Sequence, residues 1–274
     1  MSKRIADFFL LLILSSSVCL AGTENNGRGT KSVGLATAFV AVADNPWAVY
    51  YNPAGLSLLP SFEVSLFFVP QQFGLSELQT VSAAAVVPTS FGTLAIGVSQ
   101  FGFELYRETG ISVGIGESID WGVAGGLTAN AYRLSFGDYG STQTITLDLG
   151  LLAQLDEQVS LGFSFRNVLA ATIGSHNERL PQVLSLGASY APISIFFLTA
   201  ELEKDVRYPA IIKAGAEQMF LDMLSLRVGV SNNPDKFSTG LSVYYSGFEF
   251  GYAGYSHPEL GWTHQIELSF KLGS

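Results

Sequence analysis

Gln265-Ile266-Glu267-Leu268-Ser269-Phe270-Lys271-Leu272 alternates without a break. Ile266, Leu268, Phe270 and Leu272 fall on one side, and Gln265, Glu267, Ser269 and Lys271 on the other. A period of two is that of an extended strand, so the segment reads as a strand with one apolar and one polar face. The pattern recurs upstream. Leu224, Leu226, Val228 and Val230 oppose Ser225, Arg227, Gly229 and Ser231, and Val159, Leu161, Phe163 and Phe165 oppose Ser160, Gly162, Ser164 and Arg166. Ile145 to Leu151 and Phe196 to Leu202 repeat it, as does Phe248-Phe250-Tyr252 against Glu249, Gly251 and Ala253.

The composition agrees with a chain made of such strands. Of 274 residues only 14% are charged, while 48% are hydrophobic and 29 are glycine. A net charge of −9 repels phosphate backbones, so no nucleic-acid partner is expected. Beyond the N-terminus no apolar run reaches the roughly 20 residues of a spanning helix. The alternating segments number about fourteen, most near the 9–11 residues that a tilted spanning strand needs. Their connections alternate too: tight turns such as 155–158, 191–194 and 245–247 take turns with longer polar stretches such as 70–79, 169–181 and 256–262. Short turns at one end and longer loops at the other are the layout of a membrane barrel.

Periodicity alone does not say which way the apolar face points. A closed barrel of about fourteen strands is too wide for side chains to fill, which favours a polar interior and an apolar exterior. The fold class expected is therefore all-β: a transmembrane antiparallel β-barrel of about fourteen strands, formed by residues 61–274 and embedded in outer-membrane lipid. Its lumen would hold the charges Asp148, Arg166, Glu201, Glu203, Lys213, Glu217, Arg227, Glu249, Glu267 and Lys271. A mid-depth charge facing lipid would cost about 2–4 kcal/mol, which explains their confinement to one face. An even strand number places both termini on the same, periplasmic, side. Trp121, Tyr132, Tyr139, Tyr255 and Trp262, near strand ends, fit an interfacial girdle. Gly97 and Gly102, in an early strand, allow a kink.

Residues 1–21 read as a cleaved signal: Lys3 and Arg4 precede the apolar run Phe8 to Leu14 and the small residues Cys19 and Ala21. Cleavage there would remove the only cysteine. Residues 22–60 differ from the strands. Val33 to Ala43 is small and apolar, and Asp44-Asn45-Pro46 and Asn52-Pro53-Ala54-Gly55 are turn or helix-start signals.

The stretch Gly34 to Leu56, with its Asn52-Pro53-Ala54-Gly55 element, resembles the N-terminal signature of the PorV/PorQ outer-membrane proteins within the FadL-like barrel superfamily. Ser160 to Asn167, Glu201 to Asp205 and His257 to Gly261 resemble later stretches of such chains. The resemblance implies an N-terminal plug, or hatch, folded inside a fourteen-strand barrel. Asp44, Asn45, Asn52, Pro53, Ala54 and Gly55 would form the plug motif. Asp44 and Asn52 are expected to cap turns within the plug and hold it to the wall, and Trp47, Tyr50 and Tyr51 to pack it. Two departures stand out. The loops are shorter than those with which FadL transporters capture ligand, and Phe270 is followed by Lys271-Leu272-Gly273-Ser274 instead of ending the chain.

No catalytic constellation emerges. Gly110-Ile111-Ser112-Val113-Gly114 has the spacing of a hydrolase nucleophile elbow but lies within an alternating strand, not at a strand–turn–helix corner. His176 with Glu178 and His257 with Glu259 lack a zinc-site spacing, as does His264, so neither metal nor cofactor is expected. Two non-enzymatic functions follow from the resemblance: passive passage of small hydrophobic solutes past the plug, or an accessory role with secretion-system or envelope proteins.

Overall fold

The computed structural model describes residues 27–174 and 177–272. Residues 1–21, read from sequence as a signal, residues 22–26 and His176 lie outside the described residues. Seven strands come first: β1 (Glu63–Val69), β2 (Thr80–Thr89), β3 (Gly92–Gly102), β4 (Arg107–Asp120), β5 (Val123–Ser135), β6 (Ser141–Gln154) and β7 (Val159–Arg166). A two-residue hairpin follows, β8 (Thr172–Ile173) and β9 (Glu178–Arg179). Seven more complete the wall: β10 (Val183–Ile193), β11 (Phe196–Asp205), β12 (Ile211–Phe220), β13 (Leu224–Ser231), β14 (Lys236–Tyr245), β15 (Phe248–His257) and β16 (Gly261–Lys271).

Apart from the β8–β9 hairpin, each strand pairs antiparallel with its neighbours. The first closes on the last from Glu63↔Lys271 to Phe68↔Ile266, giving a closed barrel with no free edge. β3 pairs in unbroken register with both β2 and β4 from one end to the other, so Gly97 and Gly102 do not kink the wall. The ladder between β6 and β7 is short, six pairs from Leu149↔Phe165 to Gln154↔Ser160. Above it the chain from Asn167 to Thr172 continues along β6: Val168 N donates to Leu147 O at 2.8 Å and Thr144 Oγ1 to Thr172 O at 2.8 Å.

Which way each face points is now decided. In β13, Leu226, Val228 and Val230 are 42%, 50% and 52% exposed, whereas Arg227 between them is 1% exposed. The apolar face is outside and the polar face inside, the reverse of a water-soluble barrel. Trp121 and Tyr139 stand 91% and 97% exposed at opposite ends of the wall. Tyr132 and Tyr255 do not join them as girdle residues. They share the inward parity of Asn130 and Ala253 and turn into the barrel.

The interior is not an open, water-filled lumen. Residues 27–60 run through it as α1 (Thr30–Gly34), α2 (Ala48–Tyr51) and a 3-10 turn over Pro53–Leu58. Val33, Leu35, Phe39, Trp47, Val49 and Leu56 of this segment are all but fully buried and join Phe67, Ala84 and Val86 of the wall in one core. The width that side chains cannot fill is taken up by a length of the chain itself.

Candidate functional site

The inner wall meets the N-terminal segment through glycines and buried charges. Gly116, Gly126, Gly150, Gly162, Gly215 and Gly229 occupy inward positions against the segment's backbone, and Gly187 one against the side chains of Val40 and Ala41. A Cβ on Gly126 would lie 2.2 Å from the Pro53 carbonyl carbon. One on Gly162 would lie 2.2 Å from Val40 O, and one on Gly229 2.4 Å from Ala36 N. Only hydrogen at these positions lets main chain approach main chain this closely. The same glycines read, in sequence, as small residues lining a wet lumen. Their inward parity on strand after strand was the available sign of a solid occupant.

Carboxylates of the wall receive backbone N–H groups that the segment's irregular turns leave unpaired. Glu267 accepts from Thr30 N at 2.5 Å, Thr30 Oγ1 at 2.8 Å and Trp47 Nε1 at 2.6 Å. On the other side Glu201 accepts from Phe39 N at 2.9 Å and Val40 N at 3.0 Å, and from Lys213 Nζ at 3.1 Å. Charge-assisted bonds of this kind are about twice as strong as neutral ones. Glu217 pairs with Arg227, whose guanidinium also donates to Ser242 Oγ at 2.6 Å and Tyr244 OH at 2.8 Å. Glu249 stands 3.8 Å from Arg227. Lys31, in α1, bonds Asp44 at 2.7 Å and lies 3.8 Å from Glu217. Burial pushes the Lys31 ammonium down, but Asp44 and then Glu217 outweigh it and hold the group above the ordinary lysine range.

The motif residues divide their work differently from the sequence expectation. Asn52 both caps and tethers: its Oδ1 accepts from Ala54 N at 3.2 Å, while its Nδ2 donates to Val40 O at 2.7 Å and to Leu151 O of the wall at 3.0 Å. Asn45, not Asp44, receives the local backbone bond, from Trp47 N at 3.1 Å. Asp44 instead spends its carboxylate on Lys31, because that ammonium lies within direct reach. Pro53 opens the 3-10 turn, Ala54 packs against Ala124 and Leu152, and Gly55 sits where a Cβ would meet Ala43 O at 2.1 Å.

The other charges lie beyond this belt. At the loop end, Arg166 and Lys213 converge on Glu203 at 2.9 and 3.0 Å, and Asp148 accepts from Asn167 N at 2.7 Å and Asn130 Nδ2 at 2.8 Å. At the turn end, Lys271 pairs with Glu63 at 3.1 Å. Ser112 lies mid-strand with Oγ donating to Asn130 Oδ1 at 2.6 Å, so the elbow spacing is part of a sheet.

Among the described residues, the sizeable open space lies above the segment. A cavity of about 720 Å³ opens toward the loop end, floored by Arg28, Thr37 and Tyr50. Its walls combine the rings of Phe73, Tyr132 and Tyr255 with Asp148, Arg166, Glu203, Lys213 and Lys236. The β1–β2 loop reaches across its mouth: Phe73 N donates to Thr263 Oγ1 at 3.0 Å, and the Phe73 ring meets Tyr255 edge-on. Arg28, Phe73 and Lys236 were not among the residues singled out from sequence. Nothing local marks them, since the cavity is assembled from distant strands.

No protein-family model matches the chain, and no curated protein does. Its fold does match solved structures. The P. putida toluene transporter TodX aligns with a TM-score of 0.67 at 13% identity, over 92% of this chain and 100% of that one. A CymD monoaromatic hydrocarbon channel aligns at 0.64 and 14%, over 92% and 98%. A Pseudomonas aeruginosa FadL homologue aligns at 0.64 and 11%, over 88% and 98%. At these identities the likeness is one of fold alone: a closed barrel of fourteen antiparallel strands.

Proposed function

We propose that this chain is a non-enzymatic outer-membrane channel for small hydrophobic solutes, with residues 22–60 as an internal plug and residues 61–274 as the spanning barrel. Residues 1–21 are its cleaved export signal, and both termini face the periplasm. The observation that carries this reading is a channel-type barrel whose one sizeable cavity, among the described residues, ends on the N-terminal segment. The hydrocarbon channels of like fold support hydrophobic cargo. Within the FadL-like barrels, the Gly34 to Leu56 signature favours the PorV/PorQ group. The alternative, an accessory barrel for secretion or surface attachment, has no comparison in its support.

A solute entering at the loop end meets aromatic rings that offer it apolar contact, and below them a packed plug. The plug is bonded to the wall at Glu201, Glu267 and Leu151 O, so passage requires it to shift, breaking a few strong contacts together. Such concerted local opening is slower than loop motion and separate from barrel unfolding.

Single-channel conductance and toluene uptake of the intact barrel, compared with a form lacking residues 24–58, test the reading. The truncated form is expected to conduct and the intact form to stay closed. A reversible lock tests plug movement without deletion. A Cβ on Gly187 would sit 3.6 Å from that of Ala41, within disulfide range. Ala41→Cys with Gly187→Cys, plus Val40→Ala to clear the Val40 methyl 2.5 Å away, is expected to block uptake when oxidised and restore it when reduced. Equal uptake in both states would mean that solutes pass without moving the plug.

A further inference from the structure

The outer wall is largely apolar, and its polar residues gather in rows at the loop end of four adjacent strands. Pairing across β3, β4, β5 and β6 arranges their outward side chains in rows. The row Val98, Ile111, Ala131 and Ile145 is wholly apolar. One step toward the loop end comes Gln100, Thr109, Arg133 and Gln143, and the last row is Gly102, Arg107, Ser135 and Ser141. The boundary between hydrocarbon-like and polar surface is therefore one residue pair deep and four strands wide, about 15 Å at strand spacing.

Charge on this face is sorted by end. Arg107, Arg133 and Lys204 are the outward strand cations among the described residues, all at the loop end. Exposed acids on β4, Glu117 and Asp120, lie at the opposite end. Lys204 Nζ is engaged by Tyr208 O. Arg107 and Arg133 form no ion pair among the described residues, and Arg133 is steadied by a 3.1 Å bond to Ser141 Oγ. Two guanidinium groups on adjacent strands, surrounded by carboxamides and hydroxyls and with no carboxylate in their rows, form a surface that suits an anion.

We propose that the Arg107–Arg133 patch binds the phosphorylated headgroup of a lipid in the leaflet at the loop end, with the lipid's acyl chains lying on the Val98–Ile145 row. The guanidinium fork matches phosphate oxygens bidentately, and Gln100 and Gln143 supply donors to sugar or further phosphate oxygens. A lipid presents an anionic head and apolar chains in one molecule, in the order in which the wall presents its polar and apolar rows. An acidic protein partner would match only the upper rows. This site rests on the reading of the chain as a membrane barrel, but not on transport.

Native mass spectrometry of the barrel in neutral detergent tests it, with diphosphoryl lipid A as the probe and lipid A stripped of its phosphates as comparator. Wild type is expected to hold the phosphorylated probe at 0.15 M salt. R107Q/R133Q should lose about tenfold or more in affinity, while Lys204→Gln retains it. Heat-modifiable gel mobility, unchanged in all three, shows that the barrel is folded, and conductance reports separately on transport. Equal binding by R107Q/R133Q, or equal binding of the stripped lipid, overturns the proposal. So does a double variant that keeps lipid A but loses self-association or a crosslinked envelope protein.

Discussion

Replacing Glu267 by alanine removes the carboxylate on which the two halves of the plug converge. Thr30 N, Thr30 Oγ1 and Trp47 Nε1 all donate to it at 2.5–2.8 Å, and Thr30 and Trp47 are fully buried. A hydrogen bond to a charged group is worth about 1.5–3 kcal/mol, and a buried donor left without a partner costs about 1–3 kcal/mol. Against this, the variant no longer buries a carboxylate, so the low end of the range applies to the sum. A loss of about 3 kcal/mol in plug docking corresponds to roughly 100-fold in the docked-to-released ratio. Hydrogen exchange in detergent reads this directly. Protection across 30–58 should fall by about two decades in Glu267→Ala, while the mid-strand amides of β4, β5 and β13 hold theirs and heat-modifiable mobility is kept. Bilayer recordings should show opening events absent from wild type. If 30–58 keeps its protection while β1 and β16 lose theirs, Glu267 serves barrel closure, not the plug, and the reasoning fails.

Three further outcomes follow from the same contacts. Gly126→Ala should release the plug, because its Cβ would strike the Pro53–Ala54 peptide. Neighbouring Gly125→Ala faces outward toward Ile119 Cδ1 at 3.1 Å and should behave as wild type; limited proteolysis within 27–60 separates the two. Arg227→Met leaves Glu217 with only the more distant Lys31 as counter-charge. It should lower barrel stability by about 3–5 kcal/mol, seen as an earlier urea midpoint, with partial recovery in the R227M/E217Q pair. Tyr255→Ala widens the cavity by removing the ring against which Phe73 packs. It should raise the rate of solute capture, measured by quenching of a tryptophan placed at Phe73, without opening the intact plug to ions.

Strand positions, the two-sided character of each strand and the different pattern of the chain before the first strand were legible in the sequence, because the period-two alternation and the turn chemistry of Asn-Pro pairs act over neighbouring residues. A strand's parity is local, so Glu201, Arg227 and Glu267 can be set on the face opposite their apolar neighbours from sequence alone. The direction of that face, the occupant it meets and the cross-strand rows are non-local. They depend on closure of β1 against β16 and on the register of thirteen other pairings. Tyr132 and Tyr255 look like girdle residues by position along the strand and turn inward by parity. Asp44 looks like a cap until folding brings the Lys31 ammonium to it. The glycines look like lumen lining until a second backbone occupies the space, and Arg107 and Arg133 share a surface only because β4 and β5 pair as they do. Which residues can lie together along a strand follows from neighbours in the chain alone. The tertiary structure decided what each face meets, because that depends on chain brought from far away into a barrel too wide for its own side chains to fill.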